Sequence, residues 1–533
     1  MKFRTRATLA LAGAIVAIPV TVQADAPEPP PHRSALARTE SGWVRGSVDD
    51  DHVTFTGVPY AAPPIGTLRW ASPAPPPRWR GVRDVTEPAD VCPQLGEDDD
   101  GEPAVVGSED CLTLNVTVPR DGPRGERSPV LVWIHGGNFT SGAGSQYDGA
   151  RLSVEGDVMV VTINYRLDAL GFLSSPALDT GDGTSGNYGI EDQIAALRWV
   201  RRNAARFGGD PSNVTLAGQS AGARSVCVHL ASPTSRGLFD RAIVQSGACA
   251  NEVVTKPVAD QRHAQAIAEV GCDGAPDVAT CLREQPVREL LTTLPGVGAP
   301  INDRVSDDPW GPVTGTPLLP MQPMDAIATG SAAGVPILMG STRDEMRPFV
   351  GYSYDAVGNP LTEDGYGAIV ADTFGDDDAV LERYPAGAYP SPAVALSAVL
   401  TDWGGSIGAC PVLRTAEAAA AHGPVFMYEF AEVSPDVVHG FPLGAHHSWD
   451  LHFVWDVEFP GGDRPELTAQ QEALGELIRG YWSSFAHTGD PNAQGRPPWP
   501  SFGHAGSVLG LDASTVAPTP FAQAHHCDFW ADH

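Results

Sequence analysis

Residues 218–222 read Gly-Gln-Ser-Ala-Gly, a GxSxG pentapeptide. A serine hydroxyl is a weak nucleophile at neutral pH and attacks a carbonyl only with a base within hydrogen-bond reach. The pentapeptide follows an apolar run, Val214–Ala217, and opens a helical stretch. In that strand–turn–helix setting the glycines allow a sharp turn, and the turn lifts the Ser220 hydroxyl clear of a sheet. The N–H of Ala221, at the start of the helix, could then donate to an oxyanion. The alternative is an ordinary glycine-rich turn. A second signal, His135-Gly136-Gly137-Asn138, directly follows the apolar run Pro129–Ile134. A loop of this kind ahead of the elbow supplies further backbone donors, and glycine lets a substrate approach closely. Its alternative is a strand-ending turn. Taken together, the two motifs point to acyl-transfer chemistry.

The elements that would position these residues alternate along the chain. Pro129–Ile134, Val158–Asn164, Val214–Ala217, Arg241–Val244, Val335–Met339 and Val425–Tyr428 read as buried strands. Helical candidates such as Gly189–Phe207 and Ala221–Leu230 lie between them. Strands alternating with helices predict an α/β fold with a large, mostly parallel sheet covered on both faces. Residues 250–330 and 350–420 are less regular and are expected to form cap segments inserted around that sheet. No repeat and no domain-separating linker is visible, so residues 34–533 are expected to form one catalytic domain despite the length of 533 residues.

Composition narrows the classes further. Lys2, Arg4 and Arg6 precede an apolar run from Ala7 to about Val20, and Val22-Gln23-Ala24 fits a signal-peptidase site. Residues 1–24 are therefore expected to be a signal peptide, and the Pro-rich residues 25–33 an extended leader, in a secreted protein (extracellular or periplasmic). No later stretch reaches the length of a membrane span. The formal net charge is −31, and lysine occurs only at Lys2 and Lys256. Such a chain repels polyanions, so nucleic acid and anionic membrane surfaces are poor partners. The arginine bias with abundant Ala, Gly and Pro suggests a GC-rich bacterial genome. The eight cysteines, even in number in an exported chain, favour disulfides. No CxxC pair or HExxH helix occurs, so neither a metal nor a cofactor is expected. The sequence leaves the oligomeric state open, and a monomer is compatible with it.

At this point the chain resembles the type-B carboxylesterase/lipase family, the cholinesterase-like α/β-hydrolases. The resemblance runs along nearly the whole chain after residue 33. It rests on GVPYAAPPIGTLRW (57–70), Glu109-Asp110-Cys111-Leu112-Thr113-Leu114-Asn115, NYRLDALGFL (164–173), NYGIEDQ (187–193), FGGDP (207–211), QSG (245–247), YWSSFAHTGDPN (481–492) and CDFW (527–530). It implies an α/β-hydrolase fold and hydrolysis of carboxylic esters through an acyl-enzyme. The family's acid lies in Gly-x-Asn-x-x-Glu. Gly340–Glu345 matches with Thr342 for Asn, which implies Glu345 as the acid and leaves Asp344 as the rival. The family's histidine lies in Gly-Ala-x-His-Gly-x-Glu-Leu. Residues 444–451 match with Ser448 for Gly and Asp450 for Glu, which implies His447 as the base and leaves His446 as the alternative. The implied oxyanion donors are the N–H groups of Gly137, Asn138 and Ala221. Asn138 stands where many relatives have glycine, so its side chain narrows the acyl pocket or adds a hydrogen bond. Ser246 matches a serine that supports the acid, with a purely structural role as the equal alternative. Gln219 replaces a common glutamate, which removes one buried charge.

The resemblance also pairs Cys92 with Cys111, Cys272 with Cys281, and Cys410 with Cys527, as small surface clips. Cys227 and Cys249 remain and could form a fourth bridge. The segment between Cys92 and Cys111 is an apolar flap in lipases of the family; here it contains Glu97-Asp98-Asp99-Asp100-Gly101-Glu102. Such a segment should not insert into a lipid interface. That favours soluble short- to medium-chain or aromatic esters and argues against stable membrane association, although an acidic run is also an ordinary solvated loop. A lipase and an amidase or carbamate hydrolase are the neighbouring chemistries. A non-catalytic binding module of the same fold is the distant one, disfavoured because Ser220, Glu345 and His447 are all present. Trp310, Phe349, Trp403 and Phe441 are candidate pocket aromatics, with core packing as the alternative for each.

Overall fold

The apolar runs pair side by side because each is too hydrophobic to face water on either surface. The computed structural model describes residues 35–97, 102–122, 127–179, 185–293, 304–375, 378–405, 407–457, 465–503 and 506–532. The expected signal peptide and leader, and residues 98–101 of the acidic run, lie outside the described residues. The central sheet has eleven strands. In chain order they are β1 (Ser47–Val48), β2 (His52–Pro59), β3 (Thr113–Pro119), β4 (Ser128–Ile134), β5 (Met159–Ile163), β6 (Gly209–Gln219), β7 (Arg241–Gln245), β8 (Ile337–Thr342), β9 (Val425–Phe430), β10 (Val508–Asp512) and β11 (Thr515–Thr519). Their spatial order is β11-β10-β9-β8-β7-β6-β4-β5-β3-β2-β1. The seven strands β10-β9-β8-β7-β6-β4-β5 run parallel to one another. β1, β2 and β3 at one edge and β11 at the other run antiparallel.

All six expected strands are present. The largest difference is at β6, which begins at Gly209 rather than Val214. Its early residues, Gly-Asp-Pro-Ser-Asn, carry no apolar signal, and a register shift between Gly209 and Val214 absorbs them. Side chains alternate between the two faces of the sheet. Val130, Val132 and Ile134 of β4 enter one core, and Leu131 and Trp133 enter the other. The helix Tyr188–Phe207 and the helix Ala221–Ala231 cover the first core, and the helix Ala469–Thr488 covers the second. The segments expected as caps hold mainly helices, among them Lys256–Glu269, Glu363–Phe374, Pro392–Trp403 and Ala409–Ala420.

Four disulfides join Cys92–Cys111, Cys227–Cys249, Cys272–Cys281 and Cys410–Cys527. The fourth bridge ties the helix after Ser220 to the loop after Ser246. They are not surface clips: Cys92, Cys111, Cys227, Cys249, Cys272 and Cys410 are all buried, and Cys410–Cys527 spans 117 residues. Closing so long a loop is worth about 5 kcal/mol in the chain-entropy model.

Candidate active site

Parallel strands bring their C-terminal ends to one edge, and the order β6-β4-β5 reverses direction there. Sites of open α/β sheets form at such a crevice. Gly218 of β6 is paired with Ile134 of β4, Gln219 with Gln245 of β7, and Gln245 with Gly340 of β8. Register alone therefore places residues 135–138, Ser220, Ser246 and the segment after Thr342 side by side.

Ser220 sits between β6 and its helix at φ 56°, ψ −124°. Few non-glycine residues hold such a backbone, and strain of this kind costs of order 1–3 kcal/mol. The motif glycines allow it by close packing. A Cβ on Gly222 would lie 2.0 Å from the Ile134 oxygen, and one on Gly218 would lie 2.5 Å from the Gly222 carbonyl carbon. The Ser220 N–H donates to the Gln245 oxygen at 2.9 Å, which ties the turn to β7. Ser220 is half-buried.

Glu345 is fully buried, and its Oε1 accepts from the Thr342 N–H at 2.8 Å. Its Oε2 lies 2.6 Å from His447 Nδ1. Burial opposes its charge, but His447 and the Thr342 N–H outweigh burial and hold the carboxyl below its ordinary pKa. Ser246 Oγ is buried with no hydrogen-bond partner of ordinary geometry, yet it lies near enough to favour the charged carboxylate. The rivals are engaged elsewhere. Asp344 accepts from the Ala445 N–H at 2.9 Å and pairs with Arg347 at 2.8 Å. His446 Nδ1 lies 2.8 Å from the His447 carbonyl oxygen.

His447 Nε2 is 3.0 Å from Gln219 Nε2. An imidazole donating through Nδ1 to Glu345 has an acceptor at Nε2, so the Gln219 amide donates to the lone pair that a serine proton would need. The same amide donates to Ser448 Oγ at 3.0 Å. Gln219 thus does more than remove a charge. Asp450 accepts from Gln245 Nε2 at 2.6 Å.

The loop after β4 turns sharply, with Gly137 at φ 103°, Asn138 at 50° and Phe139 at 61°. Among the described residues no hydrogen bond within the chain takes the N–H of Gly137, Asn138 or Ala221. His135 is buried and stacks on Tyr165 at 4.4 Å, and burial pushes its pKa down to about 4. It is therefore a neutral wedge under the loop. Gly142, further along, is held by a reciprocal pair with the Gln94 amide at 2.8 and 3.1 Å. The Asn138 side chain accepts from Arg224, which also pairs with Asp308 at 3.0 Å. Sequence reading missed Gln94 and Arg224. Gln94 gave no signal. Arg224 gave one: a cation directly after Ala221-Gly222-Ala223, in the first turn at the positive end of a helix.

The quoted motifs also brace the site. Arg166 of NYRLD forms a buried pair with Asp192 of NYGIEDQ at 2.7 Å. Arg69 of TLRW pairs with Glu109 at 2.6 Å. Gln193 donates to Ser225 Oγ at 3.0 Å and lies 2.9 Å from His229 Nε2 on the same helix. Of the four candidate aromatics, only Phe349 stands beside the site, with its ring 5.6 Å from that of His447 and 40% of its surface exposed. Trp310 and Phe441 are core residues. Trp403 lines a cavity of about 280 Å³ with Asn251, Arg304 and Trp530, and neither Ser220, Glu345 nor His447 lines it.

The sequence model of the carboxylesterase family matches residues 33–530. The chain belongs to the carboxylesterase family. It is 34% identical to the cocaine esterase of Homo sapiens, over 93% of this chain and 91% of that one. It is also 34% identical to the para-nitrobenzyl esterase of Bacillus subtilis (strain 168), over 88% and 92%. A solved PNB esterase structure superposes with a TM-score of 0.76 at 32% identity, covering 92% of this chain and 99% of that one. The α/β-hydrolase fold is thus shared with these family members.

Proposed function

We propose that this carboxylic-ester hydrolase works through Ser220 as nucleophile, His447 as base and Glu345 as acid, within one catalytic domain over residues 34–533. The observation that carries the reading is the 2.6 Å contact between Glu345 and His447 at the strand edge that holds the Ser220 elbow. Ser220 attacks the ester carbonyl, and its proton passes to His447 Nε2 once Gln219 yields that position. Catalytic hydrogen bonds often tighten only when substrate is bound. The N–H groups of Gly137, Asn138 and Ala221 hold the oxyanion, and each such donor is worth about 3–4 kcal/mol. His447 returns the proton to the leaving alcohol. Water, activated by the same imidazole, then hydrolyses the acyl-enzyme.

Soluble short- to medium-chain or aromatic esters are the substrates we favour. The segment between Cys92 and Cys111 supports this: Gln94–Glu97 pairs with Pro103–Val106, and the sequence of the segment carries the acidic run 97–102. Export of the protein is supported by the four disulfides and the basic–apolar start. Among the described residues no helix is long and apolar enough to cross a membrane. Ser220→Ala should abolish hydrolysis of p-nitrophenyl acetate, and retained turnover would sink the triad. Across p-nitrophenyl esters from about C2 to C16, kcat/KM should peak at the short end; a long-chain optimum would make the enzyme a lipase.

A further inference from the structure

From the contacts around Arg224 we infer that it is a positioning residue that locks the two halves of the oxyanion hole together. The inference rests on the proposed roles of Ser220 and of the N–H groups of Gly137, Asn138 and Ala221. Two donors come from the loop after β4 and one from the helix after β6. Among the described residues no backbone hydrogen bond joins the loop to the helix beyond Ile134. Arg224 spans that gap. It lies on the helix, four residues after Ser220, and its N–H donates to the Ser220 oxygen at 2.9 Å. One guanidinium nitrogen donates to Asn138 Oδ1. The guanidinium also lies 5.0 Å from the centre of the Phe139 ring. The two residues it holds are the non-glycine residues of the turn with left-handed backbones, at φ 50° and 61°. That conformation is tolerable for asparagine and costly for a bulky phenylalanine, so it persists only when its surroundings impose it. The Asp168 N–H holds the same turn from the other side by donating to the Phe139 oxygen at 2.7 Å.

A buried cation at a helix N-terminus opposes the helix dipole and needs a counter-charge. Arg224 is 5% exposed and receives that charge from Asp308 at 3.0 Å. Asp308 is anchored in turn: Arg262 donates to its carbonyl oxygen at 2.7 Å, and His263 Nε2 lies 2.8 Å from the Pro309 oxygen. The guanidinium is therefore a fixed fork between a braced carboxylate and the oxyanion loop. A lysine has three donors but no planar fork, so it does not reproduce this pair of contacts together with the stacking on Phe139.

The test uses the full-length enzyme with p-nitrophenyl acetate and a trifluoromethyl ketone, whose adduct with the serine mimics the tetrahedral intermediate. Arg224→Ala should lower kcat by roughly tenfold to a hundredfold, as a displacement of about 1 Å would, with KM changed by less than about threefold. Affinity for the ketone should fall by a similar factor, since only the transition-state interaction is lost. Arg224→Lys should not restore kcat. Asn138→Gly keeps the N–H and removes the tie, so in that background the Arg224→Ala loss should at least halve on a logarithmic scale. Should the orphaned Asp308 prevent folding, Arg224→Ala with Asp308→Asn restores neutrality and carries the same expectation. Unchanged kcat and ketone affinity in a folded Arg224 variant would overturn the inference, as would strictly additive effects with Asn138→Gly. Loss of hydrolysis in Ser220→Ala alongside such results would confine the failure to Arg224. Retained hydrolysis there would take down both readings.

Discussion

Replacing Glu345 by glutamine separates catalysis from folding at a single atom. The amide oxygen can still accept the Thr342 N–H that Glu345 takes at 2.8 Å. The amide NH2 then faces His447 Nδ1 across the present 2.6 Å contact. Two donors cannot share that line, so the imidazole must give up its Nδ1 proton and carry it on Nε2. In that tautomer Nε2 has no lone pair for the serine proton. The equivalent acid-to-amide change in a serine triad lowers kcat roughly 10⁴-fold, or about 5 kcal/mol of transition-state stabilisation. The fold should change little, because the substitution keeps the shape and removes a buried charge. A cost of about 1 kcal/mol in a chain this long moves Tm by no more than about 3 °C. Steady-state kinetics with p-nitrophenyl acetate, beside a thermal melt, read the two quantities. Asp344→Asn is the control: its carboxylate is spent on the Ala445 N–H and Arg347, so kcat should stay within about threefold. A Glu345→Gln enzyme that kept a tenth of wild-type kcat would refute the assignment. An Asp344→Asn enzyme that lost most of it would transfer the role.

Gln219→Glu should move the acid limb of the kcat/KM profile to higher pH by about one unit, because a carboxylate 3.0 Å from His447 Nε2 favours the protonated imidazole; an unmoved limb in a pH–rate titration would show that the contact is not made in solution. His525 lies 2.6 Å from Asp402 and 2.9 Å from Glu429. Burial lowers its pKa, but the two carboxylates outweigh burial and raise it to about 9. Its folded pKa exceeds the ordinary value near 6.5, so its contribution of about 3 kcal/mol is complete below that pH and is lost as pH rises through 9. Urea midpoints should therefore fall between pH 6.5 and about 9. The fall should be shallower in Glu429→Gln, and equal slopes would contradict the pairing.

The strands and the turn around Ser220 were legible because each announces itself locally, whereas Glu345 and His447 were reached only through the resemblance to the family's motifs. A run such as PVLVWI has no soluble alternative to a two-sided core, and Gly-x-Ser-x-Gly has meaning only between a strand and a helix. The polar start of β6 was not legible, because it joins the sheet through the pairing of Gly209 with Ser128 and a register shift up to Val214, not through apolar content. The braces were hidden for a related reason. Gln94 and Gly142 are 48 residues apart, Asn138 and Arg224 are 86, and Asp402 and His525 are 123. Only the assembled fold gives such residues a common neighbour. Cys227 and Cys249 illustrate the intermediate case: the spacing allowed a bridge, but the choice needed the Ser220 helix to pack against the loop after β7.

Environment also decides which buried carboxylate beside His447 carries charge. Glu345 and Asp450 both lie out of water, and both lie close enough to His447 to feel its charge. Glu345 has the imidazole and a backbone N–H on its two oxygens, which holds it ionised. Asp450 is raised to about 7, first by burial and then by the charge of Glu345, and the Gln245 amide only partly offsets this. One oxygen of Asp450 has no partner. Two neighbouring acids out of water drive their pKa values apart, since a second full charge would repel the first. A carboxyl whose folded pKa is raised favours folding when protonated, so that contribution shrinks as pH climbs from about 4 to about 7. Asp450→Asn, which keeps an acceptor for Gln245, should therefore flatten the stability profile in that window and leave the Glu345–His447 contact in place. A profile as steep as wild type would mean that Asp450 stays ionised beside Glu345.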